Sequence, residues 1–193
     1  GKSETVRTLE IGEVYKYLGL EQRLSQDPKH CWTGLKDKIV NRAKTIFSSD
    51  LTIGQKVTMY NTIVIPAARF IFQNAVFQGH LESEIKTARD FDTLVRKLLV
   101  AEKVRFAKSN KSRLYVRAEL GGLGLKSLKT EFMTSVLIKE MYINIHPAMA
   151  PCRVLFQKMS RRQKRNPLTD ASKIRQMLRI NCSYEGSPTF QGI

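Results

Sequence analysis

The chain has 193 residues, 42% of them hydrophobic, with 33 Lys and Arg against 17 Asp and Glu for a net charge of +16. That length and apolar share exclude wholesale disorder and allow one domain, or two small ones, with a sizeable core. Positive charge in such surplus repels itself in the compact state and draws polyanions: nucleic acid first, then an acidic protein or a membrane surface.

In chain order, "VRTLEIGEVYKYLGL" (residues 6–20) reads as two short strands around Gly12-Glu13, where a Gly-X pair suits a type II′ hairpin turn. From Asp27, a capping residue followed by Pro28, the period becomes helical. Trp32, Leu35, Ile39, Ala43, Ile46 and Phe47 recur at spacings of three and four and predict one apolar face. Thr52 with Gln55 predicts a capping box and a second helix, which Pro66 is expected to kink or break. Beyond Pro66, "AARFIFQNAVFQ" is apolar almost all round and predicts a buried segment ending at Gly79. A third helix is expected from about Glu82 to about Lys108, with Ile85, Ala88, Phe91, Leu94, Val95, Leu98 and Leu99 as its seam. A fourth is expected from about Leu128 to Ile145, then a short helical piece before "KMSRRQKRN", and a last helix near Thr169–Ile180. The expected fold class is therefore mainly α: an N-terminal β-hairpin (1–25), a thumb-like helical bundle with a basic Gly-rich segment (26–127), and a helical extension with a basic run and a loose tail (128–193).

Residues 110–127 break the helical rhythm and contain most of the stretch "RLYVRAELGGLGLKSL", which starts at Arg113. Drawn as an extended chain, it sets Arg113, Tyr115 and Arg117 on one side and Leu114, Val116 and Ala118 on the other. Cation, aromatic and cation on one face suit phosphate contacts plus a ring for stacking. Gly121, Gly122 and Gly124 permit positive φ and close backbone approach to a ligand, and Lys126 and Lys129 stand at the start of the next helix. The competing structural reading is a solvated edge strand followed by a helix cap. Upstream, Arg96, Lys97, Lys103, Lys108 and Lys111 are expected to continue the helix and align with this segment as a groove wall. A second basic cluster, Arg161, Arg162, Lys164 and Arg165, fits a nuclear-import signal or another phosphate grip, and equally a solvated face.

Signals for catalysis are nearly absent. No H-E-x-x-H, P-loop or G-x-S-x-G occurs, and no two aspartates are adjacent. Asp90 and Asp92 lie two apart, so on a helix they do not share a face. Cys31, Cys152 and Cys182 show no ligand spacing, and His30 beside Cys31 lacks a second pair, so neither zinc nor a disulfide framework is indicated. His80 and His146 read as exposed loop histidines. No cofactor or metal is expected. No apolar run approaches a membrane span and no signal peptide is apparent, so the expectation is a soluble protein of a reducing intracellular compartment, the nucleus or otherwise the cytoplasm.

Taken together, "VYKYLGLEQ", Asn61 with "VIPAARF", "FDTLVRKLL" and "RLYVRAELGGLGL" resemble, in order over roughly residues 12–130, the part of non-LTR retrotransposon reverse transcriptases that follows the active site. The resemblance implies a primer-grip element at Tyr15, Tyr17, Leu18 and Gly19, then a helical thumb. It also implies a thumb-to-connector block containing Arg113, Tyr115, Arg117, Gly121, Gly122 and Gly124. The family's catalytic aspartates precede the primer grip and have no counterpart in this sequence. The expectation is a non-catalytic module that binds RNA or an RNA-containing duplex through residues 96–129, as a stand-alone component of a ribonucleoprotein. The alternatives are a C-terminal fragment of an active reverse transcriptase, and a protein–protein scaffold that reuses the thumb groove.

Overall fold

The computed structural model describes residues 15–17, 20–22, 28–75 and 79–180, with side chains from Trp32 onward. The fold is helical, with 77% of it in helix: the expected helical bundle is present, and the N-terminal β-hairpin of the expected class is not supported. The turn expected at Gly12-Glu13, and the strand before it, lie outside the described residues. The β-type pairing among the described residues is a ladder three residues long, between β1 (Tyr15–Tyr17) and β2 (Leu20–Gln22), in the register Tyr15↔Gln22. A pair of three-residue strands is too short to form a layer on which helices could pack.

Helix α1 (Pro28–Ser48) buries the whole stripe expected of it, from Trp32 to Phe47. Thr52 caps α2 (Ile53–Met59): its hydroxyl accepts the Gln55 N–H, and the Gln55 side chain accepts the Thr52 N–H. Pro66 does not break the helical path. A π turn at Tyr60–Val64 widens the helix, the Ile65 N–H reaches back to the Tyr60 carbonyl, and α3 (Ile65–Asn74) continues with Pro66 in its first turn. Proline cannot donate to the ladder, and one extra residue in the preceding turn reroutes the hydrogen bonding around it. Nor is α3 buried all round: Ile65, Ala68 and Phe72 face inward, while Phe70 is exposed.

Helix α4 (Leu81–Ala101) ends about seven residues before the expected end near Lys108. Lys103 takes a left-handed conformation (φ 54°), its N–H donates to the Val100 carbonyl, and the Val104 N–H donates to the Leu99 carbonyl. This is a Schellman termination, and the buried pair Leu99 and Val104 supplies its apolar contact. The short α5 (Ser112–Tyr115) leads through the Gly-rich segment to α6 (Leu128–Ile145). Helices α7 (Ala150–Arg161) and α8 (Pro167–Leu178) complete the described chain.

Four helices meet at one aromatic cluster. Trp32 of α1 lies 5.8 Å from Phe72 of α3, 5.5 Å from Phe91 of α4 and 5.7 Å from Phe132 of α6, between ring centroids. Tilted and edge-on rings at such distances gain energy beyond their buried area. The buried cluster runs on to Ala171 and Ile174 of α8, so residues on both sides of position 127 share a core. No helix among the described residues is long and apolar enough to cross a membrane.

Candidate nucleic-acid interface

Between Arg96 and Lys129 the chain carries ten basic residues and two acidic ones. They are carried on the last turns of α4, the segment 102–127 that links it to α6, and the first turn of α6. Two polar side chains build this region, one buried (Asp92) and one half-buried (Asn61). Asp92 lies on the inward stripe of α4 between Ala88 and Val95, and is 5% exposed. Its Oδ1 accepts the Leu128 N–H at 2.7 Å, and its Oδ2 accepts the Ser127 hydroxyl at 2.6 Å and the Lys129 N–H at 3.1 Å. The first N–H groups of a helix need acceptors and favour negative charge, so α4 supplies the cap of α6. A phosphate therefore has no access to this helix N-terminus, because a carboxylate of the protein already fills it.

Asn61, set in the π turn, holds the Gly-rich segment from the other side. Its Nδ2 donates to the Gly124 carbonyl at 2.8 Å, and its Oδ1 accepts the Lys126 N–H at 2.9 Å. One side-chain amide thus satisfies both a donor and an acceptor of the loop, as a neighbouring strand would.

Residues 113–125 do not form the expected extended strand. Ser112–Tyr115 is a helical turn, and the chain then folds back on itself. The Leu123 N–H donates to the Arg113 carbonyl, Gly124 to Val116 and Leu125 to Leu114, at 2.9, 2.8 and 2.8 Å. Gly122 makes this possible: a Cβ there would sit 2.0 Å from the Val116 carbonyl oxygen. Gly121 is left-handed (φ 77°) after the 3-10 turn Ala118–Leu120. Gly122 thus serves close approach of the chain to itself, where the expectation was close approach to a ligand.

The alternation of Arg113, Tyr115 and Arg117 is lost with the strand. Tyr115 is half-buried against the core, and its hydroxyl accepts a 2.9 Å hydrogen bond from Arg96. Burial raises its pKa, against the opposing pull of the Arg96 hydrogen bond. Arg113 is exposed, and its Nε donates to the Gly121 carbonyl at 3.2 Å. Lys103, Lys108 and Lys111 lie in a loop beyond α4 and not on its helix, so the wall expected from Arg96 to Lys111 is not helical throughout. Lys97, Lys103, Lys108, Lys111, Arg117 and Lys126 are exposed, and no hydrogen bond or ion pair holds their side chains among the described residues. Lys129 is half-exposed beside the Asp92 cap. Of the primer-grip-like set, Leu18 and Gly19, and the side chains of Tyr15 and Tyr17, lie outside the described residues.

No family model, curated protein or solved structure matches the chain. The reading of this face therefore rests on its own geometry.

The second basic cluster divides. Arg161, Arg162 and Lys164 are exposed at the turn between α7 and α8. Arg165 points inward, 2.6 Å from Glu84 and 2.8 Å from Asp170. Burial alone would lower its pKa, yet the hydrogen bonds to Asp170 and Glu84 more than offset this and raise it. Two further arginines are likewise committed to buried acids: Arg69 to Glu131, and Arg175 to Glu140 through two hydrogen bonds. These three arginines tie distant elements together, as Arg96 does with Tyr115, whereas the side chains of Lys97, Lys103, Lys108, Lys111, Arg117 and Lys126 hold no partner among the described residues.

Asp92, Glu84, Glu131 and Glu140 are the residues that sequence reasoning passed over. Their signal was an acid on an apolar stripe: Asp92 continues the spacing of Ile85, Ala88, Val95 and Leu99. A carboxylate in a buried seam requires a fixed donor. Asp90 is exposed where Asp92 is buried, as their spacing on a helix implies. Among the described residues no three His, Cys, Asp or Glu side chains are grouped so as to hold a metal ion. His146 departs from the exposed histidine expected: it is half-buried and its ring stacks on Tyr142 at 4.8 Å.

Proposed function

We propose that this protein binds RNA, or a duplex containing RNA, on the basic end of the bundle formed by the α4 terminus, the loop 102–111 and the Gly-rich segment, and that it acts there as a binding module with no catalytic step of its own. One observation carries the reading. Lys97, Lys103, Lys108, Lys111, Arg117 and Lys126 are exposed and unpaired among the described residues, beside a Gly-rich segment anchored by Asp92 and Asn61, whereas Arg69, Arg165 and Arg175 are paired with carboxylates of the protein. Cations without carboxylate partners, carried on a backbone of fixed shape, are what contact with a phosphate chain requires. The order of the four sequence blocks that resemble a reverse-transcriptase thumb supports the same reading, and with it a place in a nuclear ribonucleoprotein.

The test is a titration of a labelled RNA duplex with the wild type and with the triple variant Lys97→Ala, Arg117→Ala, Lys126→Ala. These side chains are exposed and make no hydrogen bond or ion pair among the described residues, so the unfolding midpoint should hold while affinity drops at least tenfold. Unchanged affinity overturns the proposal. Capture of partners after nuclease treatment addresses the protein-scaffold alternative, since a complex bridged by nucleic acid does not survive digestion.

A further inference from the structure

The loop 102–111 carries a feature that phosphate binding does not require. Phe106 is 87% exposed, more than any other large hydrophobic side chain among the described residues. A single exposed apolar residue is ordinary on a protein surface. This one stands at the tip of a loop whose hydrogen bonds hold its backbone in place. The Phe106 carbonyl accepts the Ser109 N–H at 3.1 Å and the Ser109 hydroxyl at 2.6 Å. Arg105 clamps the same turn, donating from Nη2 to the Ser109 carbonyl at 2.5 Å and from Nε to the Ser109 hydroxyl at 3.2 Å. On the far side, the Asn110 side chain accepts the Ser112 N–H at 2.9 Å. Val104, 6% exposed, roots the loop in the core beside the Schellman end of α4. Lys103, Lys108 and Lys111, all exposed, flank the ring within five residues.

We infer that Phe106 is a stacking platform for an unpaired base of a single-stranded polynucleotide whose phosphates lie on the flanking lysines. The inference rests on the proposed binding function and narrows its substrate. A phenyl ring gains by covering a base face that is otherwise open to water, whereas the bases of an intact duplex already cover each other. The ring is therefore idle on a blunt duplex and engaged on a strand with exposed bases. Tyr115, the aromatic that the sequence singled out, does not do this because its ring is packed and its hydroxyl is held by Arg96.

The experiment compares the wild type, Phe106→Ala and Phe106→Trp on an unstructured RNA strand, the same strand as DNA, and a blunt RNA duplex. The expected result is a loss of about tenfold in affinity for the single strands with Phe106→Ala, and full retention with Phe106→Trp. Affinity for the blunt duplex, the salt dependence and the unfolding midpoint should be unchanged. An equal loss on duplex and single strand, or no loss on the single strand, overturns the stacking role while leaving phosphate binding standing. A wild type that binds none of the three ligands overturns both.

Discussion

The carboxylate of Asp92 accepts the Ser127 hydroxyl at 2.6 Å and the Leu128 N–H at 2.7 Å, which ties the middle of α4 to the first turn of α6. This pair sets where the Gly-rich segment ends and how its lysines are presented. Replacing Asp92 with Ala leaves the N–H groups of Leu128 and Lys129 without their acceptor in a buried place. The expected loss is about 2–3 kcal/mol, at the upper end of helix-cap removals because the acceptor is charged and buried. Denaturant unfolding measures it, and a loss below about 0.5 kcal/mol would show that the cap is not needed.

The two adjacent glycines should respond differently. A methyl group at Gly122 meets the Val116 backbone, while at Gly121 it meets no atom within 4 Å and only the left-handed conformation is strained. Gly121→Ala is expected to cost about 1 kcal/mol. Gly122→Ala should cost more than about 2 kcal/mol, because the clash is with backbone and the whole return of the loop must shift. Thermal unfolding of both variants in parallel checks the order, and equal losses would contradict this account of the loop.

Much of the bundle was legible in the sequence because it depended on local pattern. The stripe from Trp32 to Phe47, the Thr52–Gln55 box and the span of α6 follow from spacing and capping alone. Other features depended on partners distant in sequence or on a residue acting against its preference. Lys103 gives no glycine-like signal, yet it ends α4 in a left-handed turn, so the pattern does not mark where the helix stops. Residues 113–117 alternate as a strand does, but a strand needs a neighbour. The neighbour found was the returning Leu123–Leu125 segment, which hydrogen-bonds to a helical turn and its exit. The basic character of the site was visible from composition. Its frame was not, because Asn61 and Asp92 act across more than thirty residues of sequence.

Arg165 should separate structural from ligand-facing charge within one basic run. Glu84 is buried at 3% exposure and relies on this guanidinium. Arg165→Ala is expected to destabilise the fold by about 3 kcal/mol, since an uncompensated buried carboxylate remains. The pair Arg161→Ala and Arg162→Ala, on exposed side chains, should change stability by less than about 0.5 kcal/mol. Unfolding curves distinguish the two, and a stable Arg165→Ala protein would contradict the inward role.

Gln163 offers a stabilising change. It adopts φ 55° at the end of α7, where its N–H donates to the Ser160 carbonyl and the Lys164 N–H donates to the Met159 carbonyl. A residue with a Cβ pays a conformational penalty there that glycine avoids. Gln163→Gly should raise stability by about 0.5–1 kcal/mol, read as a higher unfolding midpoint. A lower midpoint would mean that the side chain contributes packing which outweighs the strain.

The most direct measurement is the slope of the logarithm of RNA-duplex affinity against the logarithm of salt concentration, for the wild type and for the Lys97→Ala, Arg117→Ala, Lys126→Ala variant. Each neutralised phosphate contributes roughly −0.9 to that slope. If about six phosphates are engaged, wild-type affinity falls about a thousandfold between 50 and 200 mM salt, and the variant's slope is shallower by about three. A flat salt response in the wild type, or identical slopes for the two proteins, would contradict the claim that this end of the bundle holds a polynucleotide.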